Sequence, residues 1–220
     1  MDFEAFPKIP RLNRDIVITE KIDGTNAAIL IEEVGGNSAS WEGTTEFAAG
    51  GIVARSTGVY RIQAQSRKRL IQPGKGTDNY GFAGWVRSNA AELVELLGPG
   101  RHFGEWWGAG INRGYGFTSQ RNFSLFRPGV LSGPVRLSPP DGMTEDATID
   151  TVPVLYQGPF ATGAINVVLH NLGQYGSVAA PGFTRPEGII VWHEAARQLF
   201  KVTRENDEAP KGLSQAGGTV

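Results

Sequence analysis

The stretch Thr19-Glu20-Lys21-Ile22-Asp23-Gly24-Thr25-Asn26 lies between two runs of strand-forming residues, at 16–19 and 27–31. A two-residue period through it puts Lys21 and Asp23 on one side of the chain and Ile22 on the other. Ile22 can then anchor the segment in a core while an ammonium and a carboxylate face a cleft. Gly24 suits either a close backbone approach or a left-handed turn. The plain reading is a surface ion pair of Lys21 with Asp23 or Glu20, which contributes little to stability. The sharper reading is a nucleophilic lysine that takes up a nucleotide as a covalent phosphoramidate. The rest of the chain has to choose between them.

A chain of 220 residues is long enough for one domain with a sizeable core. Its 40% hydrophobic and 20% charged residues fit a soluble globular protein. No run approaches the roughly 18 apolar residues of a membrane span, so no membrane partner is expected. The opening Met1-Asp2-Phe3-Glu4 is acidic with no apolar run behind it, so a cytoplasmic location is expected rather than secretion. Cysteine is absent, which excludes disulfides and thiolate metal sites. His102, His170 and His193 lack metal-ligand spacing. A net charge of −1 argues against a broad non-specific grip on nucleic acid. Positive charge is local instead: Arg55, Arg61, Arg67, Lys68, Arg69 and Lys75 follow one another with no acid between them. They form either a solvated basic face or a patch for strand phosphates, with Arg55, Lys68 and Arg69 as candidates.

A turn is expected at 35–38, a loop at 41–51, and short strands at 52–56 and 59–65. A helix should follow Asp78 or Asn79, the candidate N-caps. Phe82, Trp85, Val86, Leu93, Val94, Leu96 and Leu97 recur at helical spacing up to Gly98-Pro99-Gly100. A strand at 101–108 puts Phe103, Glu105 and Trp107 on one face. A glutamate between aromatics is costly to bury alone, so Glu105 should face a polar cleft. The Gly-rich loop 108–116 lacks the Gly-Lys-Ser/Thr of a P-loop. Phe126 closes a strand at 121–126 and is either core or a platform for a base. Residues 128–148 read as a surface excursion, 151–156 as a strand and 164–172 as a short helix. Runs at 187–193 and 198–203 read as a hairpin that sets Glu187 and Lys201 on paired strands. Residues 205–220 read as a polar tail. The expected class is α+β, with antiparallel sheets around a cleft and helices outside.

Six separated pieces now stand in order: Glu-Lys-Ile-Asp-Gly at 20–24, Ser-Arg at 66–67, Phe-Gly-Glu at 103–105, Phe126, Glu-Gly-Ile-Ile-Val at 187–191 and Phe-Lys-Val at 200–202. The set resembles that of the covalent nucleotidyltransferases, and among them the ATP-dependent RNA ligases of phage and RNA-editing type. The resemblance covers residues 15–203 and implies the nucleotidyltransferase fold, with 1–204 as the catalytic domain. It implies that Lys21 becomes adenylylated and that Glu20, Ile22, Asp23 and Gly24 lie along the ATP. Arg67 would reach the ribose and substrate phosphates, and Phe126 would stack on adenine. Glu105 would bind the ribose or orient metal-bound water, and Glu187 would support the metal, Mg²⁺ or Mn²⁺. Lys201 would contact the α-phosphate. Relatives often carry Lys-x-Lys in the last piece; here the earlier position is Leu199. No accessory domain is expected after the core, which disfavours a capping-type guanylyltransferase with its attached oligonucleotide-binding domain.

The chemistry asks for such residues. A lysine with an ordinary pKa of about 10.4 is protonated at neutral pH. Adjacent cations such as Lys201, Arg67 and bound Mg²⁺ would free it. The same cations offset charge developing on the phosphates during in-line displacement. Three steps are expected: formation of lysyl-AMP, transfer of AMP to a 5′-phosphate, and attack by a 3′-hydroxyl. The expected partner is RNA with those two ends, single-stranded or as a nicked duplex. Two alternatives use the same core: an adenylyltransferase with another acceptor, and a non-catalytic nucleotide- or RNA-binding module.

Overall fold

The computed structural model describes residues 2–35, 51–55 and 58–205, without the side chains of 54 and 55. In chain order the first strands are β1 (Asp15–Lys21), β2 (Thr25–Glu33), β3 (Gly51–Arg55), β4 (Gly58–Ser66), β5 (Leu70–Ile71) and β6 (Gly100–Gly108). The others are β7 (Arg121–Leu125), β8 (Val135–Leu137), β9 (Ala147–Thr151), β10 (Val154–Pro159), β11 (Gly188–His193) and β12 (Gln198–Thr203). The helices are α1 (Phe82–Ser88), α2 (Ala90–Leu97) and α3 (Thr162–Tyr175). This is the expected α+β class. None of these helices is long and apolar enough to cross a membrane.

The chain divides into two compact units, Met1–Lys21 with Val154–Val220, and Ile22–Pro153. One boundary falls inside the quoted stretch, between Lys21 and Ile22. The first unit holds an antiparallel sheet of order β10-β1-β11-β12. Alternation along β1 and β11 sends Ile16, Ile18, Ile189 and Val191 to one face, where Val168 and Leu172 of α3 cover them. The register Lys21↔Gly188, Thr19↔Ile190 and Ile190↔Lys201 puts Lys21, Thr19 and Lys201 together on the other face.

The second unit holds an eight-stranded sheet of order β3-β4-β2-β6-β7-β9-β8, with β5 paired to β4. The parallel pairing of β7 with β9 departs from an all-antiparallel expectation. One face gathers Ala27, Ile29, Ile31, Ile62, Trp106, Phe123 and Leu125 under Phe82, Trp85, Leu93 and Val94 of the helices. Rings of Phe82, Trp85, Trp106 and Phe123 meet with centroids 5.0 to 6.2 Å apart. The register Asn26↔Glu105, Glu105↔Ser124 and Ser124↔Asp150 lines the other face with polar side chains.

Several expectations change in detail. The single helix is two, broken at Asn89, whose side-chain amide turns back to the Trp85 carbonyl at 2.9 Å. Asp78 does cap, although Gly81 is the formal N-cap: its carboxylate accepts the Ala83 and Gly84 N–H groups at 2.8 and 3.0 Å. The strand expected at 151–156 is two strands on different units, divided at Val152-Pro153, where proline has no N–H for a ladder. The surface excursion contains β8 and the start of β9, and α3 is longer than expected. Residues 36–50 of the expected turn and loop, and 206–220 of the tail, lie outside the described residues.

Candidate active site

In the first unit Lys21 ends β1, an interior strand flanked by β10 and β11. Its Nζ donates to Glu187 Oε2 at 2.5 Å. Both side chains keep about a fifth to a quarter of their surface exposed, 24% and 20%. Glu187 sits just before β11, where its carbonyl accepts the Arg204 N–H at 3.0 Å. Gly188 beside it is a close-approach glycine: a Cβ there would stand 2.8 Å from Thr203 Cα. Lys201 is exposed on β12, two strands from Lys21 and therefore roughly 10 Å across the sheet. Leu199 lies on the same face, opposite Trp192.

Glu20 points the other way and is almost fully buried, at 1% exposed. Its carboxylate accepts Ser177 Oγ–H at 2.6 Å and the Val178 and Ala179 N–H groups at 2.8 and 2.9 Å. Burial pushes its pKa above the ordinary 4.5, against the lowering pull of those three hydrogen bonds. The Glu20 side chain therefore ties β1 to the 177–179 segment. An open concavity of about 510 Å³ lies on the α3 side, lined by Asn166, Leu169, His170, Gly173, Gln174 and Arg204. Lys21 and Lys201 occupy the opposite sheet face, so this concavity is set apart from the lysines.

In the second unit Ile22 is buried at 4% exposed, as the alternation predicts. The polar groups of Asp23 and Gly24 are held by the chain between β6 and β7 and by Glu105. Asn112 Nδ2 donates to Asp23 Oδ1 at 3.0 Å and to the Gly24 carbonyl at 2.6 Å. Arg113 Nε donates to Asp23 Oδ2 at 3.0 Å. The Asp23 N–H donates to Tyr115 Oη at 2.8 Å, and the Gly24 N–H to Glu105 Oε1 at 3.1 Å. The surface pair of Lys21 with Asp23 or Glu20 does not form; Lys21, Asp23 and Glu20 each bond elsewhere. Gly24 serves close approach rather than a left-handed turn: a Cβ would stand 2.7 Å from Trp107 Cβ and 3.0 Å from Glu105 Cγ.

Glu105 stands on the polar sheet face opposite Asn26 and Ser124. Phe126 follows β7, with its N–H donating to the Phe103 carbonyl at 2.9 Å. Both rings are open to solvent, Phe103 at 45% and Phe126 at 42%. Arg67, Lys68 and Arg69 are exposed in the β4–β5 turn, closed by Ser66 N–H to the Arg69 carbonyl at 2.8 Å. Arg55 lies on β3, with its side chain outside the described residues. Among the described residues no group of three or more His, Cys, Asp or Glu gathers around a common point.

Asn112, Arg113, Tyr115 and Ser177 were not legible as site residues. The one cue was Asn112 within a glycine-rich run, since asparagine enters the left-handed region more readily than most residues. The chain matches the RNA ligase family over residues 14–203. No curated protein matches it.

Proposed function

The chain belongs to the RNA ligase family, and from that premise we propose that it joins RNA ends using ATP and a covalent lysyl-AMP on Lys21. One observation carries this reading: Lys21 ends an interior strand with Nζ 2.5 Å from Glu187, and Lys201 stands on the same sheet face. A protonated amine has no lone pair for attack. The proton must leave, and Glu187 is the carboxylate within reach of it. Lys201 then supplies positive charge for the phosphates once the lysine is neutral.

In the first step Nζ attacks the α-phosphorus of ATP. The bond from that phosphorus to the bridging oxygen breaks and pyrophosphate leaves with the electron pair. A 5′-phosphate oxygen of RNA next attacks the same phosphorus, the N–P bond breaks, and Lys21 recovers its proton. A 3′-hydroxyl oxygen then attacks the 5′-phosphorus and gives its proton to water, the bond from that phosphorus to the bridging oxygen breaks, and AMP leaves with the electron pair. Phe126 offers an open ring for adenine. Glu187 and Glu105 are hard oxygen donors of the kind Mg²⁺ accepts one or two at a time, beside phosphates and water. When bound, such an ion draws charge off the phosphates.

The test is intact mass after incubation with ATP and MgCl₂. The expected result is one added AMP, lost in Lys21→Ala. Subsequent 5′-phosphorylated RNA should discharge the adduct and yield joined strands. No adduct on the wild-type protein overturns the reading; an adduct that RNA does not discharge points to another acceptor.

A further inference from the structure

β6 and β7 are antiparallel neighbours that a two-residue turn could join. The chain instead runs from 109 to 120 between them, and its length is spent on Asp23 and Gly24. Ile111 is fully buried and anchors the loop. Arg121 Nε donates to the Ala109 carbonyl at 2.9 Å and closes its base. Tyr115 packs edge-on against Trp107, with ring centroids 5.1 Å apart. Asn112 and Tyr115 have φ of 44° and 52°, in the left-handed region that side chains other than glycine adopt rarely. The side chains of both left-handed residues bond the Asp23-Gly24 segment, as does that of Arg113 between them. Unfavourable backbone geometry persists where surrounding contacts over-determine it, and such positions cluster at functional sites.

We propose that the 109–117 loop is a clamp for Asp23 and Gly24, with Asn112, Arg113 and Tyr115 as positioning residues that fix the Asp23 carboxylate and the Gly24 carbonyl for ATP. The effect on adduct formation rests on the proposed function, with Asp23 and Gly24 along the ATP; the clamp itself does not. The clamp acts through the backbone. It holds the Asp23 N–H, both Asp23 carboxylate oxygens and the Gly24 carbonyl, while the Gly24 N–H goes to Glu105 of β6. A segment fixed at that many points offers ATP a preorganised wall, which is what a near-attack geometry needs.

Two measurements on the full chain test it. Tyr115→Phe removes the acceptor for the Asp23 N–H and keeps the ring on Trp107. Asn112→Gly removes the carboxamide and keeps a residue at ease with positive φ. Amide hydrogen exchange at Asp23 should rise about tenfold or more in each variant at an unchanged Tm. In the same proteins the single-turnover rate of AMP adduct formation should fall about tenfold at saturating ATP, with KM for ATP unchanged. Exchange at wild-type rates in both variants overturns the clamp. Faster exchange with an undiminished adduct rate overturns the positioning role. A wild-type protein that forms no adduct overturns the proposed function separately, and the exchange result still decides the clamp.

Discussion

Glu20 and Lys21 project to opposite faces of β1, and the two faces pose different electrostatic problems. Glu20 is a buried carboxylate with three donors around it and a pKa raised above 4.5 by loss of solvent. A folded-state pKa above the unfolded one means the native state favours the protonated form. That contribution is complete below the unfolded value near 4.5 and is lost as pH rises through the folded value. A glutamine can keep the acceptor geometry without the charge. The thermal stability of the wild type relative to Glu20→Gln should therefore decline as pH is raised from about 4.5 toward neutrality, measured by paired melts. A difference that stays flat or grows with pH would contradict the burial argument. At Gly24 the constraint is space. Gly24→Ala drives a methyl against Trp107 and Glu105 and should cost about 1–3 kcal/mol, read from urea unfolding.

At the scale of elements, α1 depends on a residue outside it. Asp78 serves the Ala83 and Gly84 N–H groups, two of the donors that a helix start leaves without partners. Asp78→Ala should cost about 0.5–2 kcal/mol in a denaturant titration. Under the proposed mechanism the β11–β12 hairpin would serve the chemistry through Lys201, which is exposed on the sheet face that Lys21 shares. Lys201→Ala should leave Tm within about 2 °C, as expected for a surface substitution. It should lower adduct formation by at least about tenfold if positive charge there serves the α-phosphate. An unchanged rate would remove Lys201 from the reaction.

For the whole molecule, charge decides how RNA can be held. A net charge of −1 leaves no general attraction for a polyanion, so binding must draw on local clusters. Arg67, Lys68 and Arg69 are adjacent and exposed in one turn. If each neutralises one phosphate, replacing all three with alanine should shrink the slope of log K against log salt by about 2 for single-stranded RNA. A slope that does not change assigns the strand to another surface. Each unit has its own apolar core, one around Ile16, Ile18, Ile189 and Val191 and the other around Trp85, Trp106 and Phe123. Leu172→Ala in the first should cost about 2–5 kcal/mol, measured by thermal or urea unfolding of the intact chain.

Local periodicity determined most of the elements. Runs of strand-forming residues at 16–19, 27–31 and 187–193 specified strands, and the 187–203 hairpin followed from its short turn. The ordered motif pieces sufficed for the family. Which groups meet was left to tertiary structure. Lys21 pairs with a carboxylate 166 residues away rather than with Asp23 two positions on. The cause is that β1 takes both its strand partners, β10 and β11, from the far end of the chain. The unit boundary after Lys21 follows from the same pairing, and the grip of Asn112, Arg113 and Tyr115 on Asp23 comes from a loop about 90 residues further on. A residue's neighbours in sequence set its face, whereas its partner across space depends on sheet order and loop path, which no single segment encodes.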